Sequence, residues 1–217
     1  SDLAQEVDVR QEPHALAIAG DRRLVHGRGG RLDGVANLVP GGEAADDLGR
    51  GIDVEVADLG VQEEAHRQGM QTSVTMMYGL GESDADRIEH LFRVREVQAR
   101  TGGFTAFICW PLQPEGTPTM SHMPRQDAVS YLRTLAIGRI VLDNVQNHQS
   151  SWVTMGHKIG QVALRFGAND YGSLMMEENV VSSAGTTYRT TIDEIERLIH
   201  DAGFAPRRRL QDYSLIE

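Results

Sequence analysis

Two stretches that read as buried strands, MQTSVTMMYG at Met70–Gly79 and the aromatic-rich GGFTAFICWPLQP at Gly102–Pro114, flank a single amphipathic segment. A strand rich in Val, Ile and aromatic residues, with little polar alternation, is covered on both faces. A parallel sheet supplies that cover, because the crossover helices pack on it. The intervening segment reads as such a helix. Ser83 and Asp86 make a capping box, and Ile88, Leu91, Phe92 and Val97 supply an inner face. The pattern repeats downstream. A helix is expected from Gln126 to Asp143, with Val129, Leu132, Ala136 and Ile140 on one stripe. SSWVT reads as a short strand, followed by a helix carrying Ile159, Val162, Ala163 and Phe166. Thr191 and Glu194 open a last helix through Ile195, Leu198 and Ile199, stopped by Gly203. The PRRRL stretch at Pro206–Leu210 reads as a solvated basic tail. The alternation means α/β, and it suits a barrel or part of one.

The first 60 residues do not share this grammar. Up to Met77 there is no Phe, Tyr, Trp or Cys, and neither a 3.6 nor a 2.0 apolar period persists. GRGGR at Gly27–Arg31 lacks the flanking strand and the Gly-Lys-Ser/Thr ending of a phosphate-cradling loop. Two units are expected: residues 1–60, disordered or translated off-frame, and residues 61–217, the α/β part.

Charge and cysteine content narrow the function. A net charge of −10 repels phosphate, so nucleic acid is not the expected partner. No run of apolar residues is long enough for a membrane span and no signal-peptide pattern opens the chain, so no membrane and a cytoplasmic location are expected. Nothing in the sequence sets an oligomeric state. Cys109 is the only cysteine, and the eight histidines lack ligand spacing, so no metal ligand set is expected within this chain. In a barrel the chemistry sits beyond the strand C-termini. Those ends fall at YGLGES, at WPLQPEGTP and after SSWVT. The segment GANDYGSLMMEENVV at Gly167–Val181 mixes methionines and valines with carboxylates and amides. An unpartnered carboxylate is costly inside a core, so this segment reads as a polar-lined pocket wall.

TSVTMMYGLGES, RTGGFTAFICWPLQPEGTP, YLRTLAIGRIVLDN, SSWVTMGHKIGQVALRFGANDYGS and MMEENVVSSAG together resemble the dehypoxanthine futalosine cyclases, radical SAM enzymes of the futalosine route to menaquinone. The resemblance runs from about Gln62 to the C-terminus and implies part of a (β/α)6 partial TIM barrel with a C-terminal helical extension. It further implies a [4Fe–4S] cluster, S-adenosylmethionine and a small-molecule nucleoside substrate. In that family a 5′-deoxyadenosyl radical takes a hydrogen from the substrate ribose, and the carbon radical closes onto the benzoate ring. The related aminofutalosine synthases share the TGGF and LDN landmarks and are the alternative, alongside a non-catalytic barrel fragment. The family's Cys-x3-Cys-x2-Cys cluster loop has no counterpart here, so an inactive fragment is expected. Relatives also carry a His-Val pair where this chain has Leu80-Gly81. Tyr78, Gly79 and Glu82 are the candidate cofactor-binding residues, with helix capping the other reading of Glu82. Trp110, Gln113, Asn169, Asp170, Glu177, Glu178 and Asn179 are the candidate substrate-binding residues. Core packing and a structural hydrogen-bond network are the competing readings for these residues. No residue is assigned a catalytic role.

Overall fold

The computed structural model describes residues 6–8, 15–19, 57–115, 117, 119–174 and 190–216. Strands β1 (Glu6–Asp8) and β2 (Ala15–Ala19) come first, followed by α1 (Ala57–Arg67), β3 (Thr72–Tyr78) and α2 (Asp84–Thr101). Next are β4 (Phe104–Pro111), α3 (Ala128–Val141), β5 (Asn147–Gln149), α4 (Trp152–Met155) and α5 (His157–Ala163). The last elements are β6 (Asp170–Ser173), α6 (Ile192–Asp201) and β7 (Ala205–Arg209). They form one sheet in the order β1-β7-β2-β6-β5-β4-β3. From β3 to β6 every neighbouring pair is parallel, and β2 pairs parallel with both β6 and β7. This is the α/β partial-barrel architecture expected from the sequence. No helix among the described residues is long and apolar enough to cross a membrane.

Local sequence explains the element ends. The Ser83 hydroxyl accepts from the Asp86 N–H while the Asp86 carboxylate accepts from the Ser83 N–H, which closes the capping box of α2. Gly102 ends that helix in the left-handed conformation, at φ 64°. Thr191 caps α6 by accepting from the Glu194 N–H, 3.2 Å away.

Several helix faces differ from the expected ones. In α2 the buried residues are Leu91, Val94 and Val97, whereas Ile88 and Phe92 are exposed. In α3 the buried stripe is Tyr131, Thr134, Leu135 and Gly138, and the expected Val129 and Ile140 are 70% and 76% exposed. Gly138 explains the rotation. A Cβ there would lie 2.8 Å from Cε1 of Phe107, so the helix approaches β4 through its glycine. In α5, Gly160 and Ala163 are buried while Val162 is exposed, and Phe166, expected on the same helix, lies exposed in the turn beyond its end. A Cβ on Gly160 would meet the Trp152 Cβ at 2.8 Å, so small size again outranks apolarity.

Two expectations about secondary structure are overturned. SSWVT is not a strand: Trp152–Met155 is the short helix α4, and the strand is the polar triplet Asn147–Gln149 before it. Asn147 pays for its burial by donating to the Thr105 carbonyl at 2.7 Å. PRRRL is not a solvated tail. It contributes most of β7, where Arg208 pairs with Glu196 and Arg209 is 1% exposed.

Candidate functional site

Strand alternation sorts the sheet into two faces. Val74, Met76 and Tyr78 of β3 stand opposite Phe107, Cys109 and Pro111 of β4, on the face that α2 and α3 cover. His148 of β5 is opposite Phe107 and shares that face. The other, inner face carries Thr75 opposite Ile108 and Met77 opposite Trp110. Ile108 is in turn opposite Gln149, and Gln149 is opposite Asp170. Met77, Ile108, Trp110 and Gln149 are half-buried there. The strip has an aromatic and thioether end and a polar end, which is the composition of small-molecule sites.

The polar end is built around Asp170. Its Oδ2 accepts from Arg209 Nη2, its Oδ1 accepts from the Gly172 N–H at 2.8 Å, and neither charged side chain is exposed beyond 1%. Arg209 also donates to the Leu210 carbonyl at 3.0 Å and lies 3.7 Å from the Tyr213 ring centroid. Tyr213 adopts φ 67°, the only positive φ of a non-glycine residue among the described residues. A tight turn holds it there: Leu210 N–H donates to the Ser214 carbonyl and Tyr213 N–H to the Leu210 carbonyl.

The other sequence candidates fall into separate environments. Tyr78 is completely buried on the helix-covered face, 4.5 Å beneath the Arg87 guanidinium, and burial raises its hydroxyl pKa. Gly79 has φ 94° and turns the chain out of β3. Its N–H donates to Glu82 Oε1 at 2.8 Å, and the Leu80 N–H donates to Oε2 at 2.7 Å. Arg87 Nε donates to Oε1 as well, at 2.7 Å. Glu82 is thus the latch of the β3–α2 turn, while the cap itself belongs to Ser83. Gln113 is buried, and its Nε2 donates to the carbonyl of Pro111 at 3.1 Å.

Asn169 is separated from its neighbour Asp170 by the alternation. Its Oδ1 accepts from Arg139 Nη2 at 2.5 Å and from the His148 N–H at 2.6 Å, tying α3 to β5. Glu177, Glu178 and Asn179 lie outside the described residues. Of the candidates, the structure brings Trp110 and Asp170 onto one face. Gln149 and Arg209 join them there and were missed. The apolar flanks of a strand are absent from NHQ, and three arginines in succession disguise the alternation in β7.

The donor set does not fit an iron–sulfur cluster. Cys109 is wholly buried on the helix-covered face, and desolvation pushes its thiol up to about 12. A cluster needs thiolates, so this side chain cannot serve one.

Three comparisons with known proteins bear on these residues. The family model described as CofH/MqnC C-terminal region matches residues 101–217. The chain is 48% identical over 151 residues to the cyclic dehypoxanthine futalosine synthase of Halalkalibacterium halodurans, covering 68% of this chain and 40% of that protein. It is 47% identical over 155 residues to the enzyme of that name from Streptomyces coelicolor, covering 71% and 39%. A 5-amino-6-(D-ribitylamino)uracil–L-tyrosine 4-hydroxyphenyl transferase of Methanosarcina acetivorans is 38% identical over 165 residues, covering 72% and 44%. The chain therefore spans about two fifths of the length of the curated relatives it matches. Among solved structures, HydG, a maturase of the [FeFe]-hydrogenase, superposes with a TM-score of 0.51 at 14% identity, covering 69% of this chain and 33% of that one. That likeness concerns the fold. On the family match over more than half of its residues, the chain belongs to the CofH/MqnC C-terminal family.

Proposed function

We propose that this chain is the substrate-holding part of a cyclic dehypoxanthine futalosine synthase, a radical SAM enzyme of menaquinone biosynthesis in the cytoplasm. The observation that carries the proposal is its 47–48% identity to two synthases of that name, against 38% to the tyrosine transferase. The inner strip from Met77 and Trp110 to Gln149 and Asp170 gives the proposal a physical form. A flat ring rests against the apolar end while hydroxyl groups meet the polar end. Holding a small ribose-bearing substrate still in this way is what a protein contributes to cofactor chemistry. Generation of the radical is assigned to polypeptide carrying the three-cysteine loop, which is not among these 217 residues. The isolated chain is therefore proposed to be inactive. The carboxylates of the 177–179 stretch, Glu177 and Glu178, with Asn179, remain proposed wall residues.

A chimera tests this reading. Residues 61–217 are fused behind the cluster-bearing N-terminal part of the Streptomyces coelicolor synthase and reconstituted anaerobically with iron and sulfide. With S-adenosylmethionine and dehypoxanthine futalosine, formation of the cyclic product is expected. A folded, cluster-loaded chimera that leaves this substrate unchanged overturns the proposal.

A further inference from the structure

We infer that Gln149 is a substrate-binding residue whose side-chain amide hydrogen-bonds a ribose hydroxyl. Three independent observations carry it. The first is position: Gln149 lies on the inner face directly between Ile108 and Asp170, one diagonal step from Trp110. Neighbouring strands are about 4.8 Å apart, so one diagonal step lies within the span of a ribose carrying an aromatic ring.

The second is its unused hydrogen-bonding capacity. Among the described residues the Gln149 side-chain amide has no hydrogen-bond partner. Each amide around it has at least one partner: Asn147 donates to the Thr105 carbonyl, although its Oδ1 is left without one, Asn169 accepts from Arg139 and the His148 N–H, and Gln113 donates to the Pro111 carbonyl. A half-buried amide with no partner among the described residues has its donor and acceptor open to a ligand or to solvent.

The third is pre-organisation. The Gln149 amide lies across Gly172, where a Cβ would come within 2.9 Å of Nε2 and 3.2 Å of Cδ. Gly172 has φ 96°, so its residue type is set by the backbone and the amide is laid over the bare Cα. The Gly172 N–H is itself fixed by Asp170, whose carboxylate is fixed by Arg209. Rigid support of this kind lowers the entropy lost on binding.

The chemistry selects the ligand group. An amide offers a donor and an acceptor on one plane, and a hydroxyl both accepts and donates. The neighbouring Asp170 carboxylate already has its counter-ion, so the corner is electrically neutral and suits an uncharged hydroxyl better than a carboxylate or phosphate. The inference rests on dehypoxanthine futalosine being the substrate.

The test titrates the full 217-residue chain with dehypoxanthine futalosine, and with its 2-deoxy and 3-deoxy analogues, by calorimetry. Gln149→Leu is expected to weaken binding of the parent ligand about tenfold, with an unchanged melting temperature. One deoxy analogue is expected to lose a similar factor against the unaltered chain and nothing further against Gln149→Leu, the signature of a coupled pair. Gly172→Ala, which displaces the amide, is expected to weaken binding as well, and the Leu variant keeps the test decisive if the Ala variant does not fold. Unaltered binding by Gln149→Leu overturns the inference and leaves the substrate assignment standing. Absence of any saturable binding by the unaltered chain overturns both.

Discussion

Arg209 and Asp170 form an ion pair in which the two side chains are 1% and 0% exposed, although 39 positions separate them. Two charges withdrawn this far from water tolerate each other and little else. Removing one leaves the other buried and uncompensated, which costs about 3–5 kcal/mol. Arg209→Met is therefore expected to lower unfolding stability by about that amount in a urea titration. Adding Asp170→Leu is expected to recover part of the loss, because the uncompensated charge goes with it. A single variant within about 0.5 kcal/mol of the parent contradicts the pair.

His148 gives stability a pH dependence. Its ring is completely buried, and desolvation, aided by the Arg139 guanidinium, lowers its pKa from the ordinary 6.5 to about 3. His90 is lowered to about 4 for the same leading reason, with Arg93 adding to it. A depressed histidine pKa means that the unfolded chain binds the proton first. The contribution is then complete above pH 6.5 and is lost as pH falls from 6.5 toward 3. Each such histidine steepens the acid limb by up to about 1.4 kcal/mol per pH unit. His148→Phe is expected to flatten that limb between about pH 6 and 4. Equal slopes in the two proteins refute the assignment.

Gly103 is held small by a histidine. A Cβ there would lie 2.2 Å from Cγ of His66, whose ring bridges the hydroxyls of Thr101 and Thr72 at 2.8 Å each. Gly103→Ala is expected to cost about 1–3 kcal/mol through overpacking. In combination with His66→Ala the two losses are expected to be less than additive, since the clash disappears with the ring. Strict additivity in thermal melts removes the explanation.

Cys109 reports on unfolding alone. With the thiol buried and pushed up to about 12, alkylation by iodoacetamide at pH 8 is expected to proceed at the rate of global unfolding. Iron and sulfide are expected to leave no stoichiometric cluster on the isolated chain. Rapid labelling under native conditions, or a cluster spectrum after reconstitution, goes against the buried placement.

The strands that were legible in the sequence are those whose burial is apolar. TSVTMMY and FTAFICWP announce themselves because Val74, Met76, Tyr78, Phe104, Phe107 and Cys109 are stabilised by transfer from water. NHQ and APRRR are equally part of the sheet, but their burial is compensated by partners distant in sequence: Thr105 for Asn147 and Asp170 for Arg209. Composition carries no trace of such pairs. The helix faces were misread for a related reason. Apolar periodicity pointed to Val129 and Ile140, whereas close approach at Gly138 turned Tyr131 and Leu135 inward. Of the inner-face strip proposed to hold the substrate, Trp110 and Asp170 were legible as a strand-end aromatic and a carboxylate among apolar neighbours. Gln149 was hidden in a triplet with no strand signature.

The position of β7 in the sheet bears on how the chain is made. Synthesis delivers Asp170 39 residues before Arg209, and the strand that carries Arg209 lies between β1 and β2. While the ribosome is adding that interval, the nascent carboxylate has no counter-ion and must stay hydrated. The middle of the sheet cannot dry out until β7 arrives, so closure of this corner waits for the strand that carries Arg209. A ribosome paused within α6 would hold a chain with its central polar corner still open to water.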